Sequence, residues 1–444
     1  MSTDQVIMAG GGIGGLGAAL MLARRGVKVR VLERAPEFGE VGAGLQLAPN
    51  ITRMLKEVGV FDKIAPLSVF PKRLVFMNAK TGEELTHLDL ADAEKRYGAP
   101  YIVLHRSDLL NALLEAAQAE ENITLQTSAK VEDVEDHGDR VVVRTADGAE
   151  HTGELLLGAD GLHSRVRREI VQDEPICSGY VAYRGAVPVE DVDRRMSMDE
   201  VVVWMGPGMH LVQYPVRAGK LYNQVAVFRS QEYLEGKEDW GTPEELDRTY
   251  SEMCESVRVA IPSLHRNNRW PMFDREPIST WTKGRVSLLG DAAHAMLQYL
   301  AQGAGQSLLD GAALATALPA LGEGSWDGEA LAGALRQYED ERVAFAGHVQ
   351  STARVWGDIW HVDSYVPMIL RDEVFRSRDV HDYSFVDWLY GPVQDDAAAA
   401  AEPVAEPAVV AEPAAAVEPA PAAPAPATPA AAPADQTTRT PAHA

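Results

Sequence analysis

Six residues near the N-terminus, GGGIGG from Gly10 to Gly15, constrain the fold of this chain more than any other stretch. They follow a short apolar run at 6–9, and the pattern after them predicts a helix over 16–25 and a second strand over 27–32. A strand, a glycine turn, a helix and a strand within about 30 residues form a βαβ unit. The sequence therefore predicts that the chain begins as a Rossmann-like domain.

The glycines have the spacing G-x-G-x-x-G, and each has a physical role in binding a dinucleotide. Gly10 permits the tight turn, Gly12 lets the backbone approach a pyrophosphate, and Gly15 lets the helix pack closely on the strand, while Gly14 lies in the same turn. The free N–H groups at the helix start face the phosphates. Glu33 ends the next strand, where a carboxylate accepts ribose hydroxyls and disfavours a 2′-phosphate. We predict FAD or NAD as the ligand; a glycine-rich turn without a ligand is the alternative.

Size and composition restrict the class of protein further. A chain of 444 residues is long enough for two domains and an extra segment. Its formal charge of −24 argues against nucleic acid or an anionic membrane as a partner. The two cysteines, Cys177 and Cys254, provide neither a disulfide framework nor the spacing of a metal site. Because no signal peptide and no membrane-spanning run is present, we expect a cytoplasmic protein.

The residue pattern and composition change along the chain and indicate separate regions. Runs between 177 and 275 alternate between apolar and polar residues, which predicts an antiparallel sheet. A hairpin is predicted over 72–90, and Ser107-Asp108 is expected to cap a helix that reaches about residue 119. Beyond 394 the chain consists mainly of Ala, Pro and Glu, which predicts a disordered tail, with a tether for a partner as the alternative. The predicted organisation is α/β: a discontinuous FAD-binding domain (1–72, 100–176 and 276–345), an inserted antiparallel-sheet substrate domain (73–99 and 177–275), a C-terminal helical segment (346–393) and the tail (394–444).

Two more motifs follow predicted buried strands. GADGLHSRVR spans 158–167, and LLGDAAHAMLQYLAQGAG spans 288–305. In the second, we expect Gly290, Ala292, Ala293, Gly303 and Ala304 to be small because a flat cofactor rests against them; close packing of helices is the alternative. N–H groups near 303–305, at the start of the next helix, would then stabilise negative charge on that cofactor. His294, beside the second motif, is expected to be a structural hydrogen-bonding residue.

Together the three motifs resemble those of single-component flavoprotein monooxygenases, in the aromatic-hydroxylase branch with the p-hydroxybenzoate hydroxylase fold. That family carries GxGxxG, DGxxSxxR and GDAAH in this order. The resemblance implies that FAD is the resident cofactor. It implies the following contacts: Asp291 with the ribityl and pyrophosphate side, Asp160 with both flavin and pyridine nucleotide, Arg106 with the flavin chain, Glu33 and Arg34 with the adenosine ribose, Val131 near the adenine, and Gly303 and Ala304 with the ring. Gln46 either contacts the flavin or packs. Since no second G-x-G-x-x-G occurs, the reduced pyridine nucleotide, which we take to be NADH, is expected to bind only transiently.

The chain departs from the commonest pattern of that family after its GDAAH motif. Where many members have prolines, this chain has Ala295 and Gln298. The runs MGPGMHLVQYP, VAYRG, GAGLQLAPN and RWPMFDREPI, and the end DWLYG, resemble 3-hydroxybenzoate 6-hydroxylases, which convert 3-hydroxybenzoate to gentisate with NADH and O2. In that chemistry a C4a-hydroperoxyflavin attacks a carbon para to a phenolate.

Three polar residues are the candidates for handling the substrate. His210 and Tyr214 share one face of a predicted strand. His210 has the ordinary pKa of a base for the phenolic proton, or else is a structural histidine. Gln298 is expected to hold the phenolic oxygen, and Tyr214 to bind the carboxylate or line the pocket.

Several other functions remain open from the sequence. A decarboxylating hydroxylase of salicylate or 6-hydroxynicotinate would share the motifs, and would release carbon dioxide. A lipid or polyene epoxidase of the same fold would need an apolar C-terminus, which the acidic tail opposes. A non-catalytic flavin sensor would bind FAD without turnover. The expected partners are a small aromatic acid and O2, with a homodimer possible.

Overall fold

The computed structural model describes residues 4–39, 43–318 and 326–393. The strands are β1 Asp4–Ala9, β2 Val29–Leu32, β3 Gly44–Leu47, β4 Arg73–Asn78, β5 Glu84–Asp89, β6 Ile102–His105, β7 Ile123–Gln126, β8 Val131–Asp136, β9 Val141–Thr145, β10 Glu150–Gly158, β11 Ile176–Pro188, β12 Glu200–Gly206, β13 Met209–Val216, β14 Leu221–Arg229, β15 Trp270–Asp274, β16 Thr282–Lys283 and β17 Val286–Leu288. The helices are α1 Ile13–Ala23, α2 Pro49–Glu57, α3 Phe61–Ile64, α4 Leu90–Tyr97, α5 Arg106–Gln118, α6 Gln231–Leu234, α7 Pro243–Tyr250, α8 Glu255–Arg258, α9 Asp291–His294, α10 Gly303–Ala317, α11 Gly328–Trp360, α12 Tyr365–Ser377 and α13 Ser384–Tyr390.

The first sheet contains the predicted βαβ unit. Its strand order is β16-β17-β10-β1-β2-β7, and the five strands from β17 to β7 run parallel. The segment of β1 from Val6 to Ala9 is entirely buried, as expected of a parallel strand covered on both faces. Helix α1 is also almost wholly buried, because it packs against both α5 and α10. This sheet brings the strand ends that precede the three motifs, β1, β10 and β17, side by side.

The second sheet has seven strands in the order β15-β11-β14-β13-β12-β4-β5. Along β13 every residue is buried, so both faces of this strand are covered. The register places His210 opposite Val227 and Val212 opposite Val225, while Arg184 of β11 is the partner of Val225 on its other side. Since direct partners point to the same face of a sheet, Arg184, His210 and Tyr214 project from one face.

A small third sheet and the C-terminal helices complete the surroundings of the second sheet. Strands β3 and β6 pair antiparallel, and the N–H of Gly44 donates to the Asn223 side chain (2.7 Å), which joins β3 to β14. Helix α13 is held by Asp387, whose carboxylate accepts from Arg96 (2.7 Å) and from the Tyr97 hydroxyl (2.7 Å).

The α/β fold with parallel and antiparallel sheets is confirmed, but several local predictions are wrong. Helix α5 begins at Arg106, and its N-cap His105 makes no side-chain capping bond, so Ser107 and Asp108 lie inside the helix. No helix was predicted between 177 and 275, but α6, α7 and α8 lie there, between β14 and β15. The second sheet is also not purely antiparallel, since β4 runs parallel to β12. The predicted tail, 394–444, lies outside the described residues, and none of the described helices is both long and apolar enough to cross a membrane.

Candidate active site

A cavity of about 870 Å³ is lined by residues of both large sheets. Fifteen of the sixteen site residues predicted from the sequence line it: Gly10, Gly12, Gly14, Glu33, Arg34, Gln46, Arg106, Val131, Asp160, His210, Tyr214, Asp291, Gln298, Gly303 and Ala304. Gly15 does not line the cavity: it lies below the turn, where a Cβ would overlap the carbonyl oxygen of Gly10. Its role is therefore the close packing of helix on strand.

The glycine turn fits a dinucleotide. Gly10 has φ +111°, and a Cβ there would overlap the carbonyl oxygen of Ala159, so the turn requires glycine. A Cβ on Gly12 would meet no atom within 4 Å, so the absence of a side chain there leaves open space at the cavity. The helix start has no side-chain cap, which leaves its N–H groups free for a phosphate.

Glu33 stabilises the glycine turn through a hydrogen bond to its backbone. Its carboxylate accepts from the N–H of Gly11 (2.8 Å) and from the N–H of Ala35 (2.8 Å). It also lines the cavity, and a carboxylate oxygen can accept more than one hydrogen bond. The residues at this end of the cavity therefore fit the adenosine half of FAD.

In the DG motif, Asp160 has a structural role that was not predicted from the sequence. The Asp160 carboxylate accepts from the Ser164 hydroxyl (2.5 Å) and from the N–H of Arg165 (2.6 Å), so it stabilises the turn after β10 while also facing the cavity. Arg167 is 1% exposed and pairs with Asp173 (2.7 Å).

Arg167 also corrects the prediction for the small residues of the GD motif. Its guanidinium donates to the carbonyls of Ala292 and Ala293, both at 2.8 Å. These two alanines are fully buried and do not line the cavity, so they are small because the core packs against them. Gly290, Gly303 and Ala304 do line it.

A buried polar network holds the GD turn. His294 Nε2 lies 2.6 Å from Asp310, which also accepts from the N–H of Gly290 (2.8 Å) and from Arg342 (2.8 Å). Burial would raise the pKa of Asp310, but the facing His294 and Arg342 hold it at about 2. The expectation that His294 is a structural hydrogen-bonding residue agrees with these contacts.

The second sheet forms the wall of the cavity around His210. This residue is 0% exposed, and burial lowers its pKa to about 3, so its imidazole is neutral. Its Nε2 has no hydrogen-bond partner among the described residues. Tyr214, farther along β13, packs against Gly44, and burial raises its pKa.

Sequence reasoning missed three residues that contact His210 and a fourth, Arg184, on the same face of the sheet. Tyr299 and Trp360 contact its ring at centroid distances of 5.6 Å and 5.1 Å, and both have a buried polar atom without a partner among the described residues. His361 contacts His210 on the side away from the cavity, with its Nε2 2.7 Å from His210 Nδ1. Arg184 lines the cavity from β11. Only the period-two alternation of VAYRG pointed to Arg184, and nothing in the sequence joined His361 to His210.

Gln298 lies in a short 3-10 helix, 298–300, that ends at Ala301 with φ +54°. Gln298 lines the cavity, and its neighbour Tyr299 contacts the His210 ring. Helix α10 then begins at Gly303 without a side-chain cap, and its first residues, Gly303 and Ala304, line the cavity.

Comparisons with known proteins agree with this arrangement. Residues 3–353 match the family described as FAD binding domain. The 3-hydroxybenzoate 6-hydroxylase of Polaromonas naphthalenivorans (strain CJ2) is 37% identical over 388 residues, 87% of this chain and 95% of that protein. The 3-amino-4-hydroxybenzoate 2-monooxygenase of Streptomyces cremeus is 36% identical over 391 residues, 87% of this chain and 95% of that protein. Klebsiella pneumoniae HpxO complexed with FAD and uric acid superposes with a TM-score of 0.73 at 25% identity, covering 84% of this chain and 93% of that one. The chain therefore belongs to the FAD-binding-domain family, and it is an FAD-dependent aromatic monooxygenase.

Proposed function

We propose that this enzyme hydroxylates 3-hydroxybenzoate para to its hydroxyl group, giving gentisate, with NADH and O2 as cosubstrates. The observation that carries the proposal is a buried, neutral imidazole on the cavity wall, His210, whose Nε2 has no partner among the described residues. A phenolic hydroxyl group supplies the missing partner. Relatives with 3-hydroxybenzoate 6-hydroxylase activity in their names support the choice of substrate.

We assign the FAD contacts to the residues predicted from the sequence. Gly10, Gly12 and Gly14 would hold the pyrophosphate, Glu33 and Arg34 the adenosine ribose, Val131 the adenine, Asp160, Arg106 and Asp291 the ribityl side, and Gln46, Gly303 and Ala304 the ring. When bound and reduced by NADH, FAD supplies an electrophilic oxygen from O2.

His210 acts as the base in this proposal. Its Nε2 accepts the phenolic proton, which makes the aromatic ring electron-rich at the para carbon. Burial by itself opposes an imidazolium, but a phenolate formed at hydrogen-bond distance stabilises the imidazolium as an ion pair. Gln298 has an amide that can donate to the phenolate oxygen.

The rest of the wall excludes water. Between His210 and Tyr214 the sheet face presents Val212, with Val203 and Val225 as its direct partners on either side. All three valines line the cavity. We infer that the substrate ring lies on this apolar surface, with its polar groups at the edges.

Arg184 is the group that we assign to the substrate carboxylate. Arg184 lies two strands away from His210, which is about 10 Å across the sheet. It is also displaced by two residues, about 7 Å, along the strand direction. Because both side chains project from the same face of the sheet and line the cavity, they can share a small aromatic acid. The Arg184 guanidinium makes no hydrogen bond or ion pair with another described residue, its Nε is buried, and it lies 5.5 Å from the Trp270 ring. By contrast, Arg378 on the same cavity donates to Thr86 and to the His87 and Asp382 carbonyls.

Arg184→Met is expected to weaken binding of 3-hydroxybenzoate by about 100-fold, because a buried carboxylate would lose its charged partner. Titration of the flavin absorbance gives the Kd. The matched ligand is 3-methylphenol, which has no carboxylate and should lose less than about threefold under the same reasoning. Arg184→Lys should recover part of the affinity. Equal losses for both ligands would contradict the assignment.

The proposed function is tested with the purified FAD-loaded enzyme and a panel of hydroxybenzoates. We expect 3-hydroxybenzoate to accelerate NADH oxidation, with gentisate formed in proportion and no carbon dioxide released. Stimulation by salicylate or 6-hydroxynicotinate with release of carbon dioxide would replace the proposal with a decarboxylating hydroxylation. Bound FAD without turnover on any member of the panel would also contradict it.

A further inference from the structure

We propose that His361 is the positioning residue of His210: it accepts a hydrogen bond from His210 Nδ1 and so presents Nε2 to the cavity as a base. This inference rests on the proposed function, because it names the group that prepares the proposed base. His361 does not line the cavity, so it acts only through His210.

The contact between the two histidines is direct and buried. His210 Nδ1 and His361 Nε2 lie 2.7 Å apart, and the rings are nearly parallel, with centroids 4.9 Å apart. The exposed fractions are 0% for His210 and 4% for His361. His210 comes from β13 and His361 from the residue that caps the C-terminal end of α11, so a long helix sets the position of the second ring.

The surroundings of His361 favour its neutral form. Burial lowers its pKa well below the usual range, and His210, Arg229 and Arg371 act in the same direction. The two arginines are themselves paired, Arg229 with Asp363 and Arg371 with Asp372. The other faces of the ring meet aromatic groups, with Tyr180 stacked at 4.5 Å and Tyr299 edge-on at 5.2 Å.

Two neutral imidazoles 2.7 Å apart share one N–H between them. If His210 Nδ1 carries it, His361 Nε2 accepts and His210 Nε2 keeps its lone pair for the phenol. In the opposite arrangement, His210 Nε2 would carry the hydrogen and could not act as a base. We infer the first arrangement from the proposed reaction, in which Nε2 must accept a proton; the 2.7 Å contact is compatible with it.

The proton balance of the step is then complete. The phenolic O–H bond breaks, an N–H bond forms at His210 Nε2, and the His210 imidazolium keeps its Nδ1–H directed at the His361 lone pair. A buried imidazolium therefore retains a hydrogen-bond acceptor when its charge appears. A third group that orients the base is common in enzymes, although here it is a neutral imidazole rather than a carboxylate.

Two substitutions separate this role from mere packing. His361→Phe keeps an aromatic ring against Tyr180 and removes the acceptor, whereas His361→Gln keeps an acceptor oxygen and removes the ring. We expect His361→Phe to lower kcat by about 10- to 100-fold with KM changed less than about threefold, and His361→Gln to recover most of the rate. In absorbance titrations of bound 3-hydroxybenzoate, the phenol should ionise about one pH unit higher in His361→Phe than in the unmodified enzyme or His361→Gln.

A purely structural role predicts a different result. Both variants would then lose stability, the ionisation of the bound phenol would not change, and the proposal would be overturned. A second measurement does not depend on the substrate: the ¹⁵N spectrum of histidine-labelled, FAD-loaded enzyme reports the His210 tautomer. Unmodified enzyme should show Nδ1–H, and His361→Phe should show a mixture. The same tautomer in both would contradict the inference even if 3-hydroxybenzoate proved to be the wrong substrate.

Discussion

Replacing His210 with alanine is expected to lower the rate of aromatic hydroxylation by about 100- to 10,000-fold, the usual contribution of a general base. NADH oxidation should fall much less, because the residues assigned to FAD lie on other elements. The coupling ratio, product formed per NADH consumed, is therefore the most sensitive measurement. It should fall to a small fraction of the value for the unmodified enzyme, with hydrogen peroxide accounting for the difference. His210→Asn, which is smaller but polar, should behave in the same way.

A matched control is available on the same cavity. His163 also lines it, but it is exposed and lies within the DG motif, which follows β10 of the first sheet. His163→Ala should preserve the coupling ratio, because that ring lies away from the wall on which the substrate is proposed to rest. If His210→Ala reduced NADH oxidation and hydroxylation equally, His210 would not be the base.

The face of β13 that carries His210 could be predicted from the sequence, whereas the contact between His210 and His361 could not. Alternation in MGPGMHLVQYP placed His210 and Tyr214 on one face, and the strand register agrees. His361 is 151 residues away from His210 and follows a helix whose packing fixes its position. No local pattern predicts that contact, because it depends on how α11 docks on the second sheet. Arg184 lies on a strand that the sequence predicted. Its distance from His210 could not be predicted, because it depends on the register of β11, β14 and β13.

The GD motif shows a second limit of sequence reasoning. Eight of its residues are Gly or Ala, and the sequence interpretation gave five of them one common cause, either a cofactor or close helix packing. The structure separates two causes: Gly290, Gly303 and Ala304 face the cavity, whereas Ala292 and Ala293 direct their carbonyls to the buried Arg167. A small residue indicates that another group comes close to the backbone. The sequence alone does not say whether that group belongs to a ligand or to the protein core. Asp160 is a similar case, since its carboxylate stabilises a turn and also faces the cavity.

The glycine turn offers the sharpest test of the same distinction, with two substitutions three residues apart. Gly15→Ala places a Cβ where the Gly10 carbonyl oxygen lies, so the turn or α1 must shift. Overpacking of this kind costs about 1–3 kcal/mol or more, and we expect a lower thermal unfolding midpoint even without FAD. Gly12→Ala places its Cβ in open space at the cavity, with no atom within 4 Å, and Gly12 has φ −74°, which alanine adopts without strain.

Gly12→Ala should therefore fold normally and fail to bind FAD, because its methyl group occupies the space through which a pyrophosphate approaches the backbone. We expect the Kd for FAD to rise by about 100-fold or more, which corresponds to about 2.7 kcal/mol. Fluorescence titration of the FAD-free protein measures the affinity, and circular dichroism with thermal unfolding measures the fold. Full FAD affinity in Gly12→Ala would mean that the pyrophosphate does not lie on this turn. An unfolding midpoint lowered equally in both variants would mean that both glycines serve packing alone.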